Sequence, residues 1–242
     1  MALPSHLPAA VLRPVRGHHA FEACVEQLAT AIRLGVYPRG TSLPAERDLA
    51  ELLGVSRATL REAMAALRQA GLVETTRGRS GGTIVTLKAG TPSARAAARI
   101  SPSRRQDWLD ALDYRRIVEP GAAALAAARP LDDVRRQQLE QAHADVAAAD
   151  KPAAHRQADS RFHLTIAALT GSARTVQAVT SVQGTLHEML LAIPVMGTNI
   201  AHSDRQHARL VAAILAGKPD RARKVMQEHC DDTAALLRGL VG

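Results

Sequence analysis

Four residues in the second half of the chain are of types that hold metal ions. Asp159 and His163 stand four apart in a segment of helical pattern, one turn apart on one face. His207 opens a later segment of the same pattern and His229 lies in the last one. One carboxylate and three imidazoles brought together inside a bundle would suit Zn(II), Ni(II), Mn(II) or Fe(II), with coordination positions left open. Spacing alone does not separate such a site from an ordinary His–Asp hydrogen bond, because the chain has ten histidines. His155, one turn before Asp159, could be a further ligand or a partner behind one, and its place near a helix start also suits exposure. His187 could line a pocket or face solvent, and His202 reads as solvated. Cys230 follows His229 directly, and adjacent helical residues point about 100° apart, which keeps it off the same ion. Phe162 and Leu164 flank His163 and read as core. The nearby acids Glu119 and Glu228 could act on a metal-bound water, but surface pairing explains them equally well.

A second pattern lies in the first half. Gly54-Val55-Ser56 forms a tight turn, and Arg57, Thr59 and Arg61 then fall in the first two turns of the helix that Ser56 can cap. Arg57 and Arg61 project from one face, while Leu60, Ala63 and Leu67 form the neighbouring buried one. A helix entering the major groove reads base edges with its N-terminal residues, and arginine is the commonest reader of guanine. Arg77 and Arg79 lie in the Gly-rich stretch Arg77–Gly82, placed to meet phosphates or the minor groove. Singly these arginines read as solvated charge; as a set they describe a DNA-binding surface.

The elements that must position these residues can be read from period and punctuation. Apolar residues recur at helical spacing from His18 to Leu34, and a short helix runs between Pro44 and Gly54. The next helix reaches about Ala70, and two β-like runs, Leu72–Thr76 and Thr83–Leu87, flank the Gly-rich loop. Three helices and a basic hairpin make a winged helix-turn-helix over residues 17–87. Residues 88–105 are rich in Ala, Ser, Pro and Arg and read as a linker. Beyond them, over 106–242, the pattern predicts helices Asp107–Ala128, Asp132–Ala149, Pro152–Thr170, Ala173–Ile193, Ser203–Ala216 and Pro219–Leu240, a bundle of about six. The fold class is mainly α. Residues 1–16, with Pro4, Pro8 and Pro14 and no signal-peptide core, read as a flexible tail.

Composition agrees. Aromatic residues are only 2% of a chain that is 46% hydrophobic, so the core is built from Ala, Leu, Val and Ile, which favours packed helices over sheets. The net charge is +8, and residues 1–100 hold most of the excess, with 13 Lys/Arg against 7 Asp/Glu. Two distant cysteines, Cys24 and Cys230, make no disulfide framework and read as reduced thiols in a cytoplasmic protein. No apolar run is long enough to span a membrane.

Residues 37–87 resemble the GntR family of bacterial regulators. The resemblance lies in Tyr37-Pro38-Arg39-Gly40, in Leu43-Pro44-Ala45-Glu46-Arg47-Asp48-Leu49-Ala50, in Leu53-Gly54-Val55-Ser56-Arg57, in Leu60-Arg61-Glu62-Ala63 and in Gly71-Leu72-Val73. It implies operator contacts from Arg47, Ser56, Arg57, Thr59, Arg61 and the wing residues Arg77 and Gly78, and a homodimer on a short pseudo-palindromic operator. Residues 105–238 resemble the ligand-binding FCD domain of the FadR-type subgroup, through the segments Tyr114–Pro120, Ala158–Ile166, Gln206–Ile214 and Met226–His229. That resemblance implies that Asp159, His163, His207 and His229 are metal ligands, and that the ion holds a small carboxylate. Arg115 matches a pocket arginine that could pair with that carboxylate, while a salt bridge to Glu119, four residues on, would explain it equally well.

The expectation is a metabolite-responsive transcriptional regulator, more a repressor than an activator, with a divalent ion, zinc first, as its cofactor. A regulator that senses the ion itself is the runner-up. A DNA-architectural protein would lack the recognition-helix pattern, and an enzyme would be expected to show a motif such as HExxH, a nucleophile elbow or a phosphate loop.

Overall fold

The computed structural model describes residues 6–15, 20–76, 82–86, 101–192 and 197–241. The chain divides into two compact units, Met1–Ala89 and Gly90–Gly242.

The first unit holds α1 (His6–Val11), α2 (Ala20–Arg33), α3 (Glu46–Leu53), α4 (Arg57–Gln69), β1 (Val73–Thr75) and β2 (Thr83–Val85). Helix α4 buries Leu60, Ala63, Met64 and Leu67, one stripe at i, i+3, i+4 and i+7, and packs against α2, α3 and β1. Helix α3 carries Glu46 and Asp48 in its first turn, where the positive end of the helix dipole favours them. It ends at Gly54, whose φ of 63° is left-handed and favours glycine; a Cβ there would also meet that of Pro14 in a tight contact of 3.1 Å. The turn then re-enters a helix through Ser56, whose Oγ accepts from the Thr59 N–H at 3.0 Å. β1 and β2 pair antiparallel, Val73 opposite Val85 and Thr75 opposite Thr83.

The flexible-tail reading fails over residues 6–15. Leu7, Val11 and Leu12 lie on one side of α1 and are all buried. The segment after it is tied down as well: the Arg13 N–H donates to Gln27 Oε1 at 2.8 Å and the Val15 N–H to the Leu53 carbonyl at 2.6 Å. Of the prolines that suggested a tail, Pro8 lies within the short helix and Pro14 follows it.

The second unit is a bundle of six helices among the described residues: α5 (Pro102–Ala128), α6 (Asp133–Ala147), α7 (Pro152–Leu169), α8 (Ala173–Ala192), α9 (Gly197–Leu215) and α10 (Pro219–Val241). Two start earlier than periodicity predicts. α5 begins at Pro102, capped by Ser101 Oγ, which accepts from the Arg104 N–H at 3.3 Å, and it runs through Pro120 without a break. α9 begins at Gly197 rather than Ser203, because its polar first turns show no apolar period.

The bundle has two apolar clusters. One gathers Ala123, Ala126, Phe162, Ile166, Leu210, Ile214, Val225 and Met226 among others. The second gathers Trp108, Leu112, Leu186, Met189, Ala234 and Leu237. Along α5 the stretch between them carries Arg115 and Glu119; along α10, His229 lies at the end of the first cluster, between Met226 and Cys230. The buried polar residues thus gather at a waist against the first cluster and beside the second, where a missing partner is costly.

Candidate nucleic-acid interface and metal centre

The turn between α3 and α4 presents a polar edge. Arg57 and Arg61 are exposed on the first two turns of α4, and Ser56 and Thr59 share a hydroxyl contact of 2.8 Å beside them. Arg61 reaches back to Glu46 Oε2 at 3.3 Å, and Arg47 lies against Asp48 Oδ1 at 3.1 Å. Both pairs are open to water, so each contributes at most about 1 kcal/mol and can be exchanged for a phosphate or a base edge. Arg47, Ser56, Arg57, Thr59 and Arg61 thus lie on or beside one turn. Arg77 and Gly78 lie outside the described residues.

In the bundle, three helices deliver imidazoles to one point: His163 from α7, His207 from α9 and His229 from α10. All three are buried, and one ligand atom from each lies within 4.8 Å of the others. Ring centroids are 5.1 Å apart for His163 and His229, and 4.8 Å for His207 and His229. Asp159, half-buried, closes the group, with Oδ1 3.5 Å from His207 Nε2 and Oδ2 4.0 Å from His163 Nε2. Burial pushes the His207 imidazole down to about 3, against the pull of Asp159, and likewise holds His229 well below its ordinary value. Both are therefore neutral at pH 7, the form that ligates metal.

Three buried nitrogens of this cluster, His163 Nδ1, His163 Nε2 and His207 Nδ1, make no well-aligned hydrogen bond among the described residues. An unsatisfied buried polar atom costs about 1–3 kcal/mol. A carboxylate and three converging imidazoles, with His207 and His229 held neutral, fit a divalent cation better than a closed hydrogen-bond network.

Behind the cluster stands an acid for which the sequence left surface pairing open. Glu119 is 1% exposed. Its Oε2 lies 3.2 Å from Arg115 Nε and 2.8 Å from His163 Nδ1, and its Oε1 accepts from Gln183 Nε2 at 2.7 Å. Burial alone would raise its pKa; Arg115, His163 and Gln183 outweigh that and hold the carboxyl far below the usual range. Cys230, not a member of the imidazole group, turns its thiol toward Glu119 Oε2 at 3.7 Å, and burial holds that thiol protonated. Arg115 makes the salt bridge to Glu119, yet its Nη1 is also buried without a partner among the described residues. Glu228 behaves as a surface residue, paired with Arg209 at 3.1 Å.

The other histidines singled out in the sequence are not in the converging group. His155 pairs with Asp204 Oδ1 at 3.4 Å and His202 with Asp232 Oδ2 at 2.8 Å; His187 is half-buried on α8. Phe162 is core, with its ring centroid 4.6 Å from that of His207. Gln183 and Gln206 carried no signal in the sequence, since a lone glutamine in a helix has none; the burial of Glu119 could have been suspected from the small apolar residues that follow it, Gly121 to Ala124.

Residues 21–85 match the gntR family of bacterial regulatory proteins, and residues 110–232, half of the chain, match the FCD domain. The chain belongs to the GntR family. A putative HTH-type transcriptional regulator, RmpR, of Mycobacterium gastri is 32% identical over 95% of this chain and 84% of its own. A putative L-lactate dehydrogenase operon regulatory protein of Escherichia coli is 34% identical over 78% of this chain and 75% of its own. Among solved structures, Streptococcus agalactiae GntR aligns with a TM-score of 0.49 and 26% identity, covering 89% of this chain and 99% of that one. The protein is a transcriptional regulator with an FCD effector domain, from a family of DNA-binding proteins rather than enzymes. No described helix is long and apolar enough to cross a membrane.

Proposed function

We propose that this regulator is a repressor that binds a short palindromic operator as a homodimer and is modulated by a small carboxylate held at a metal centre. DNA contacts come from Arg47, Ser56, Arg57, Thr59 and Arg61, with Arg77 and Gly78 on the wing. Asp159, His163, His207 and His229 would hold the ion, zinc first, with Ni, Mn or Fe also compatible with the donor types. The observation that carries the reading is the convergence of three buried imidazoles beside Asp159, with His163 Nε2 buried and unpaired among the described residues. A divalent ion bound there would keep residual positive charge after one carboxylate, which an anionic ligand complements. Arg115, already neutralised by Glu119, offers its free Nη1 as a donor near the cluster rather than a full unpaired charge. A relative named for an L-lactate dehydrogenase operon is compatible with small organic acids as effectors.

His155 is not among the three histidines whose ring nitrogens converge within 4.8 Å, which favours an effector site over a saturated ion sensor. By linkage, a ligand that weakens operator binding must itself bind more weakly to the DNA-bound protein, by the same factor.

The test is the metal content of untagged, chelator-free protein beside His207→Ala, followed by operator titration with small mono- and dicarboxylates. About one ion per chain, lost in the variant, is expected. No metal in either protein, even after incubation with divalent ions, would reduce the four residues to a polar cluster.

A further inference from the structure

The metal cluster has a second layer that decides where the imidazole protons sit. Gln206, on α9 beside His207, is 3% exposed. Its Nε2 lies 2.7 Å from Asp232 Oδ2, and its Oε1 lies 3.1 Å from His229 Nδ1. A carboxylate can only accept, so the amide nitrogen must face Asp232. The amide oxygen therefore faces His229, and an oxygen can only accept, so the proton must be on Nδ1. His229 Nε2 is then bare. His202 holds Asp232 from the solvent side at 2.8 Å, which anchors the far end of the chain at the surface.

The same logic applies to His163. Its Nδ1 is 2.8 Å from Glu119 Oε2, within hydrogen-bonding distance although the N–H points off the line to the oxygen. Glu119, charged and gripped by Arg115 and Gln183, can only accept, which again places the proton on Nδ1 and leaves Nε2 bare. Asp159 faces the Nε2 atoms of His163 and His207. His207 differs from the other two: no group backs its Nδ1 among the described residues.

We infer that Gln206 and Glu119 are positioning residues that hold His229 and His163 in the Nδ1–H form, so that both present a bare Nε2 to the ion. This rests on the metal reading above, but the proton placement belongs to the metal-free protein and can be measured without any ion. Outer partners that fix a ligand's tautomer and orientation typically change metal affinity 10–100-fold when removed.

The test uses full-length, metal-free, ¹⁵N-labelled protein at pH 8 and long-range ¹H–¹⁵N correlation of the histidine rings, assigned with single His→Gln variants. The expected result is protonated Nδ1 and unprotonated Nε2 in both His163 and His229. A proton on Nε2 of either ring overturns the inference. Gln206→Met then removes the amide, and Asp232→Ala, on the exposed surface, removes only its anchor and guards against a variant that fails to fold. In each, His229 moves toward the Nε2–H form while His207 is unchanged, and zinc affinity, read by competition with a chromophoric chelator, falls about 10–100-fold in Gln206→Met. Glu119→Gln retains an accepting oxygen and keeps His163 in its wild-type form. An unchanged His229 tautomer in both Gln206→Met and Asp232→Ala overturns the positioning role. Wild-type protein that takes up no zinc would instead sink the metal reading, leaving the tautomers to be judged from the spectrum.

Discussion

The start of α4 and the waist of the helical bundle both concentrate polar side chains, and they do so under opposite conditions. At α4 the arginines stand in water, each held by at most one exposed carboxylate. At the waist, Arg115, Glu119, His163, His207 and His229 are almost wholly buried, and Glu119 alone faces Arg115, His163, Gln183 and Cys230. An exposed charge can wait for a partner at little cost, so a DNA-reading surface can be assembled on a helix whose other face does the folding. A buried charge has no such freedom. Each must be matched inside the protein, and a nitrogen left bare there marks the place of a missing partner.

The largest expected effect follows from breaking the buried side. Glu119→Ala leaves Arg115 charged and without its partner in a dry core and should cost about 3–5 kcal/mol, read as a fall in the urea midpoint of the bundle. A loss under 1 kcal/mol would mean that water reaches the waist, and the contrast with α4 would disappear.

Acid sharpens the same contrast. His207 titrates near 3 in the folded state against an ordinary value of 6.5, because burial disfavours its charge; His229 is shifted in the same direction. Between the two values the unfolded chain binds more protons, so stability rises with pH. The contribution is complete above about pH 6.5 and is lost as the pH falls toward 3, with a slope of about 1.4 kcal/mol per pH unit for each such histidine. Metal-free protein unfolded in urea at pH 7, 6 and 5 should show this fall, and His207→Gln should flatten it. A variant as acid-sensitive as the wild type would place the titrating group elsewhere.

How much of each region could be read beforehand follows from the same distinction. The α3–α4 turn was legible because its parts are local: Gly54 must be left-handed, Ser56 caps, and Leu60, Ala63 and Leu67 mark the inward face within a few residues of Arg57 and Arg61. The four metal-ligand candidates were legible as residue types only, through family likeness, since two helices' worth of chain separates His163 from His229. The second layer was not legible. Glu119 looks like any acid four residues from an arginine, and Gln206 like any helical glutamine, until packing places them against His163 and His229. α1 was misread because three prolines outweighed an apolar stripe of only three residues.

At the exposed side the expected effects are smaller and fall on binding rather than folding. Arg61→Ala should cost about 1–3 kcal/mol of operator affinity at fixed salt. Its folding stability should stay within about 0.5 kcal/mol of wild type, since no buried partner is stranded. A twofold or smaller change in the operator titration would remove Arg61 from the base-reading set.

The smallest effect tests whether the exposed pairs matter at all. Glu46 is the acid that Arg61 touches in the free protein, at 3.3 Å and open to solvent. Glu46→Gln deletes a pair worth at most about 1 kcal/mol, so the denaturation midpoint should barely move. DNA binding should respond in the opposite direction. A carboxylate beside the recognition turn competes with phosphate for Arg61 and repels the duplex, so its removal should tighten binding to operator and non-operator DNA alike, with a steeper dependence on salt. If Glu46→Gln instead weakened operator binding while sparing stability, the Arg61–Glu46 pair would be a device that aims the guanidinium at the groove. The exposed region would then share with the buried one the habit of fixing a side chain through its neighbour.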